Sequence, residues 1–244
     1  LHGNLGYSIK SYQPVSEMIA SHLGPTLLLM GVSLIVSLVF AVPAGIYSAI
    51  HQYEKGDYAV VTMSFLGSSI PGFFLSLLLI YVFTVKLGWL PSSGMTTLGA
   101  VSGAGDVAAH MVMPVLVLAF SMAGSNIRYI RSAVLEILQQ DYLRTARAKG
   151  IGRFRVINKH ALRNALIPVI TYVGPMTAYI LTGSMVVETV FTVGGLGTKF
   201  VSSINNQDYP MIMAVTIFLA VLMVVATLLS DLIYKAVDPR IKLD

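Results

Sequence analysis

The chain has 244 residues, of which 55% are hydrophobic and only 11% charged, with a formal net charge of +5. Soluble domains carry about 25% charged residues, so there is too little polar surface here to cover a water-exposed fold of this size. The absence of cysteine excludes a disulfide framework and thiolate metal sites.

The opening "LHGNLGYSIKSYQP" has no basic stretch followed by an apolar run, so it does not read as a signal peptide. Beyond it the apolar residues come in blocks. A membrane span needs roughly 20 such residues, because about 30 Å of hydrocarbon is crossed at about 1.5 Å per residue. Five blocks qualify: Pro25–Ile50, Tyr58–Val85, Val107–Ile127, Leu166–Val187 and Pro210–Tyr234. They are continuous rather than alternating, which predicts helices and not a β-barrel. A single all-α membrane domain over residues 1–244 is expected. Pro43, Pro71, Pro114 and Pro175, with Gly31, Gly45, Gly67, Gly72, Gly174 and Gly183, fall inside the blocks and predict kinked, closely packed helices.

Polar residues inside the spans are few. Ser64, Ser68 and Ser69 precede Pro71 in the second, and the fourth carries Thr171, Tyr172, Thr177, Tyr179, Thr182 and Ser184. Either set fits the uncharged wall of a substrate pathway, or hydrogen bonding between helices. Glu188, just past the fourth span, fits contact with a substrate amine or with a partner subunit. His110, near the start of the third span, reads as a polar end residue rather than a proton relay. No span carries Asp, Glu, Lys or Arg deep inside, which disfavours proton-coupled transport and intramembrane catalysis. "GGLGTKF" at Gly194–Phe200 is glycine-rich with a lysine. It lacks the Gly-Lys-Ser/Thr ending of a phosphate loop and reads as a tight external turn.

Orientation follows from the basic residues. Arg128–Arg163 holds nine Lys or Arg, and Lys55, Lys235, Arg240 and Lys242 fall on the same side; the other side has only Lys10, Lys86 and Lys199. The long basic loop and the C-terminus are therefore expected in the cytoplasm and the N-terminus outside, in a multi-pass membrane protein. A further span before Leu1 would reconcile that topology.

The basic run itself, "RTARAKGIGRFRVINKHALRNAL" at Arg144–Leu166, has seven Lys or Arg and no acid. Few aromatics interleave with it, so nucleic acid is disfavoured. Basic residues near a bilayer attract anionic lipid at about 1 kcal/mol each, and that accounts for part of the charge. Asp141 starts and Gly150 ends a predicted short helix. At about 100° per residue, Leu143, Ala146 and Gly150 fall within roughly 60° of one another. Such a small, smooth face between Arg147 and Lys149 suits insertion into a groove of another protein.

This stretch resembles the cytoplasmic signature loop of bacterial ABC-importer permeases, Glu-Ala-Ala, three residues, Gly, nine residues, Ile-x-Leu-Pro. Ala146, Gly150 and Leu162 fall on its third alanine position, its glycine and its leucine; Arg144, Thr145, His160 and Arg163 depart from it. "DYLRTARAKG", "HALRNALIPV", "TGSMVVETVF", "GGLG", "DYP", "WLPSSG" and "DPRIK" together are similar to the oligopeptide and dipeptide branch. The resemblance implies a type I importer permease fold with six spans, five of them visible here. It implies a second permease, two cytoplasmic ATPase subunits carrying ATP and Mg²⁺, an external binding protein and a peptide substrate. No catalytic residue, cofactor or metal is implied in this chain. The coupling loop would be residues 140–165, with Leu143, Arg144, Thr145, Ala146, Arg147, Lys149, Gly150 and His160 as the ATPase-facing positions. Ser64, Ser68, Ser69, Tyr172, Thr182, Ser184 and Glu188 are the pathway candidates. A nickel or other small-solute importer is the alternative within the branch, and an ATP-independent channel or secondary carrier the alternative outside it.

Overall fold

A computed structural model describes residues 5–97, 99, 103–150, 152 and 184–237. These residues are almost wholly helical. Among them the strand-type pairing is an isolated antiparallel bridge between Tyr7 and Pro14. The helices are α1 (Val15–Ile50), α2 (Lys55–Ser69), α3 (Gly72–Leu79), α4 (Ala104–Leu138), α5 (Asp141–Ala148), α6 (Leu196–Asn205) and α7 (Tyr209–Val237). A π-helical stretch, Ile80–Lys86, continues α3, and residues 184–191 are helical before α6.

Among the described residues three helical stretches are long and apolar enough to cross a bilayer: Val15–Ile50, Ala104–Leu138 and Tyr209–Ser230. The first two contain the first and third predicted spans, and the last covers most of the fifth. The second predicted span is broken. α2 ends at Ser69, and Pro71 takes an extended conformation (φ −60°, ψ 133°) before α3 begins. Proline has no N–H to donate, and its ring disfavours helix in the residue before it. The Pro71 carbonyl accepts the N–H groups of Phe74 and Leu75 at 3.0 and 3.1 Å and so starts α3. Pro114, by contrast, lies inside the continuous α4. Most of the fourth predicted span, residues 166–183, lies outside the described residues. Large apolar side chains stay exposed along α1 (Ile35, Val39, Phe40) and α7 (Ile217, Val221, Val224, Leu228). A bilayer requires such surfaces, and water penalises them.

The chain packs as two compact units. One comprises Leu1–Val36, Ile70–Ala119 and Ala178–Val224. Its core joins Val15, Met18 and Ile19 of α1 to Leu196 of α6 and to Met211, Ala214 and Val215 of α7. The N-terminal segment is tied to the same unit: the Ser8 hydroxyl and the Ile9 N–H both donate to Asp208, just before α7.

The other unit comprises Ser37–Ser69, Phe120–Thr177 and Val225–Asp244. There Ala41 and Ala49 of α1 pack on Ile130 and Val134 of α4. α2 crosses α4 backbone to backbone at two glycines. A Cβ on Gly67 would lie 2.7 Å from the Phe120 carbonyl oxygen, and one on Gly124 would meet the Ser64 carbonyl oxygen. Asn126 donates to Ser37 Oγ at 2.9 Å between α4 and α1. Lipid-embedded helices use this combination, because apolar side chains alone prefer neither lipid nor each other.

Candidate functional site

The predicted docking helix forms as α5, Asp141–Ala148. Lys149 N–H donates to the Thr145 carbonyl at 3.0 Å, and Gly150 follows at φ +77°, the left-handed conformation that ends helices. Thr145, Lys149 and Gly150 are exposed, and nothing lies within 4 Å of where a Gly150 Cβ would stand. Leu143 differs from the expectation. Its relative exposure is 0%, so it anchors α5 to the rest of the chain instead of lying on an open face. The backbones of Arg144, Ala146 and Arg147 belong to α5, while their side chains, and His160 altogether, lie outside the described residues.

Two of the three serines before Pro71 meet Arg128 of α4. Ser64 is buried and its hydroxyl donates to the Val61 carbonyl at 2.7 Å. The Ser68 hydroxyl lies 3.2 Å from the Ser64 and Phe65 carbonyls. Arg128 of α4 donates from one nitrogen to the Ser64 carbonyl and to Ser68 Oγ, both at 3.0 Å, and its guanidinium sits 5.1 Å from the centre of the Phe65 ring. Ser69 is exposed at the end of α2. Ser184 is buried and Tyr172 and Thr182 lie outside the described residues.

Glu188 is fully buried and heavily engaged. One carboxylate oxygen accepts the Thr26 hydroxyl at 2.9 Å. The other accepts the main-chain N–H groups of Gly197 at 2.8 Å and Thr198 at 3.2 Å. Thr26 Oγ1 in turn accepts the N–H of Leu196 at 2.8 Å. Leu196, Gly197 and Thr198 are the first three residues of α6, whose N–H groups have no partner within the helix. Thr26 and Glu188 together cap it, with the negative charge at the positive end of its dipole. The Gly-Gly-Leu-Gly turn makes room for this: Gly194 takes φ +71°, and a Cβ on Gly197 would lie 2.6 Å from Met185 Cα and 2.8 Å from the carboxylate. The tight-turn reading of those glycines thus gains a partner, a buried acid a few residues upstream.

A second buried acid was not among the predicted positions. Asp57 is 3% exposed, in the first turn of α2 and just before the apolar run that starts at Tyr58. Arg131 Nε and Nη2 donate to its two oxygens, each at 2.9 Å. The Ser48 hydroxyl and the Tyr53 N–H also donate to it, the latter at 3.0 Å. The Arg131 guanidinium holds the Asp57 carboxyl well below the usual carboxylate range, against the opposite pull of burial and with help from Ser48 and Tyr53. An acid at the very edge of an apolar run was the available signal. His110 is buried and its ring nitrogen lies 2.9 Å from the Asp106 carbonyl, with the Asp106 carboxylate at 3.5 Å, so it is tied to its own helix end.

Long apolar helices and a pair broken at proline, joined through glycine and a few polar nodes, with a short basic helix after α4, define a polytopic membrane protein. The sequence matches the family of binding-protein-dependent transport system inner membrane components over residues 41–243, and the chain belongs to that family. It is 47% identical over 243 residues to the oligopeptide transport system permease protein AppB of Bacillus subtilis, covering 99% of this chain and 77% of that one. It is 42% identical to the dipeptide transport system permease protein DppB of the same organism, covering 86% of this chain and 65% of that one. It is 39% identical to the glutathione transport system permease protein GsiC of Escherichia coli, over 99% of this chain and 76% of that one. Among solved structures, an inward-facing form of the MetNI methionine ABC transporter superposes with a TM-score of 0.73 at 21% identity, covering 92% of this chain and 98% of that one. That likeness places the fold with type I importer permeases. The family is a membrane component with several apolar helices, so the chain is a multi-pass, non-catalytic transport subunit.

Proposed function

We infer that this chain is one half of the translocation channel of an ATP-driven importer of oligopeptides or dipeptides. The observation that carries the reading is the similarity, over 86% to 99% of this chain, to oligopeptide, dipeptide and glutathione permeases. Its partners are a second permease, two cytoplasmic ATPase subunits that hold ATP and Mg²⁺, and an external protein that delivers the peptide. The basic loop and the C-terminus face the cytoplasm.

α5 is the ATPase-docking element. It is short, basic, open on the side of Thr145, Lys149 and Gly150, and anchored from beneath by Leu143. It follows α4 after only Gln139 and Gln140, so a push on α5 acts on a helix of 35 residues. ATP binding closes the ATPase pair, α5 moves with it, and the long helices switch the side to which the channel opens. Ser69, Tyr172 and Thr182 remain candidates for the peptide path. The Ser64 and Ser68 hydroxyls and the Glu188 carboxylate are engaged within the chain, which gives them positioning roles.

The test is uptake of labelled oligopeptide and dipeptide into proteoliposomes holding the complete complex, with Ni²⁺ as competitor. ATP-dependent peptide uptake that Ni²⁺ leaves unchanged is expected. Nickel accumulation without peptide uptake would favour a metal importer. Peptide uptake at the same rate without ATP would favour a channel or secondary carrier.

A further inference from the structure

Arg131 and Asp57 join two elements that apolar packing already holds. Ala49, Ile130 and Val134 form a core beside them. Removing two charges from water costs about as much as their attraction returns, and apolar side chains of similar volume would hold the helices at least as well. Apolar contacts, however, slide. Two parallel hydrogen bonds of 2.9 Å from one guanidinium to one carboxylate resist both sliding and rotation.

Three chain segments converge on that carboxylate. Ser48, near the end of α1, donates to Asp57 and accepts from Arg131 Nε at 3.0 Å. The Tyr53 N–H comes from the turn between α1 and α2, and Tyr53 itself stands at φ +67°, a conformation that a non-glycine residue holds only when its surroundings enforce it. Arg131 comes from α4. From Arg131 the same helix runs on to Leu138, about 10 Å along its axis, and α5 begins at Asp141.

We propose that the Asp57–Arg131 pair carries the displacement of α5 to the α1–α2 turn, making Asp57 and Arg131 positioning residues for ATP-driven transport. This rests on the reading of α5 as the ATPase-docking helix. When α4 is drawn along its axis, Arg131 pulls the carboxylate with it, and Ser48 and the strained turn at Tyr53 follow as one body. Without the pair, only apolar contacts of Ala49, Ile130 and Val134 would join α4 to the end of α1 at this level, and the turn would follow less closely.

The experiment measures peptide transported per ATP hydrolysed by the complete complex in proteoliposomes, with Arg131→Lys and Asp57→Asn against wild type. Each variant should assemble and hydrolyse ATP as wild type does while its transport per ATP falls about two- to thirtyfold, the range that residues coupling two sites command. A wild-type ratio in either assembled variant overturns the proposal. If both fail to assemble, Asp57→Glu decides, because it keeps the charge and moves it by one methylene. A lowered ratio in assembled D57E supports the proposal; a normal ratio, or loss of assembly in all three, assigns the pair to folding alone and overturns it. Failure of the docking reading looks different: Gly150→Trp would then transport normally, whatever the pair does.

Discussion

Replacing Glu188 should separate a buried cap from a substrate contact. In Glu188→Ala, the N–H groups of Gly197 and Thr198 lose their acceptor, and the Thr26 hydroxyl loses its own. All three donors belong to a node in which Glu188, Gly197 and Thr26 are buried, so water cannot replace the carboxylate without rearrangement. Each orphaned buried donor costs about 1–3 kcal/mol, so the three put the variant about 3–9 kcal/mol below wild type. Glu188→Gln keeps the volume and one acceptor oxygen, and Thr26 can turn its hydroxyl to accept from the new amide. The remaining loss is that of an anion at the N-terminus of α6, about 0.3–2 kcal/mol.

The assay is reversible unfolding in mixed micelles, followed by circular dichroism, beside peptide transport by the complete complex. A gradient from wild type through Gln to Ala in stability, with transport by Gln near normal, is expected. Glu188→Ala within about 0.5 kcal/mol of wild type, the range of changes away from such features, would refute the cap. So would a Gln variant of normal stability that no longer transports, because the charge would then be meeting the peptide. Gly197→Ala forces the same node apart from the other side. Its cost should be markedly less than additive with that of Glu188→Ala, as for residues sharing one network.

The other outcomes follow from single sites. Gly124→Ala places a Cβ against the Ser64 carbonyl oxygen, so α2 and α4 must separate, at about 1–3 kcal/mol in the same unfolding assay; an unchanged variant would mean the two helices do not meet there. Gly150→Ala should lose about 1 kcal/mol from its φ of +77° and keep transport. Gly150→Trp should hydrolyse ATP without transport, and normal transport by it would defeat the docking assignment. Because the chain has no cysteine, orientation can be read from single replacements of the exposed Thr145 and Tyr12. An impermeant maleimide should label Tyr12→Cys on intact cells and Thr145→Cys only after permeabilisation, and the reverse pattern would invert the topology.

The parts of this molecule that were legible in its sequence are local. Apolar runs longer than 20 residues announced α1, α4 and α7. Pro71 announced the break between α2 and α3, and Gly150 the end of α5 at a positive φ. What stayed hidden depends on partners far along the chain. Thr26 is 162 residues from Glu188, and Arg131 is 74 residues from Asp57. Nothing in the spacing of either acid names its partner. Leu143 shows the same limit from another side. A helical wheel places it on one face with Ala146 and Gly150, and only the folded chain reveals that something already covers it. Ser64 and Ser68 read as pathway residues because they are polar in an apolar run; the same property suits a helix contact, and the Arg128 contact to both is visible only in the folded chain.

A chain with 11% charged residues must place each charge where apolar packing fails. In lipid, Leu on Leu is worth little more than Leu on a lipid tail, so bulk hydrophobicity cannot choose which helices pair. The choice falls to contacts that lipid cannot imitate. Two are backbone crossings at Gly67 and Gly124; one is the Asn126–Ser37 hydrogen bond. Among the described residues three acids are buried, and two of them act at element ends where N–H groups would otherwise face apolar surroundings: Glu188 at the start of α6 and Asp57 at the turn before α2. Glu188 meets neutral donors and fixes one helix end, a static task. Asp57 meets a guanidinium on the helix that leads to α5, closer to that helix's end than Gly124 or Asn126, and under the proposed coupling it is the contact that ties force on the basic loop to the α1–α2 turn.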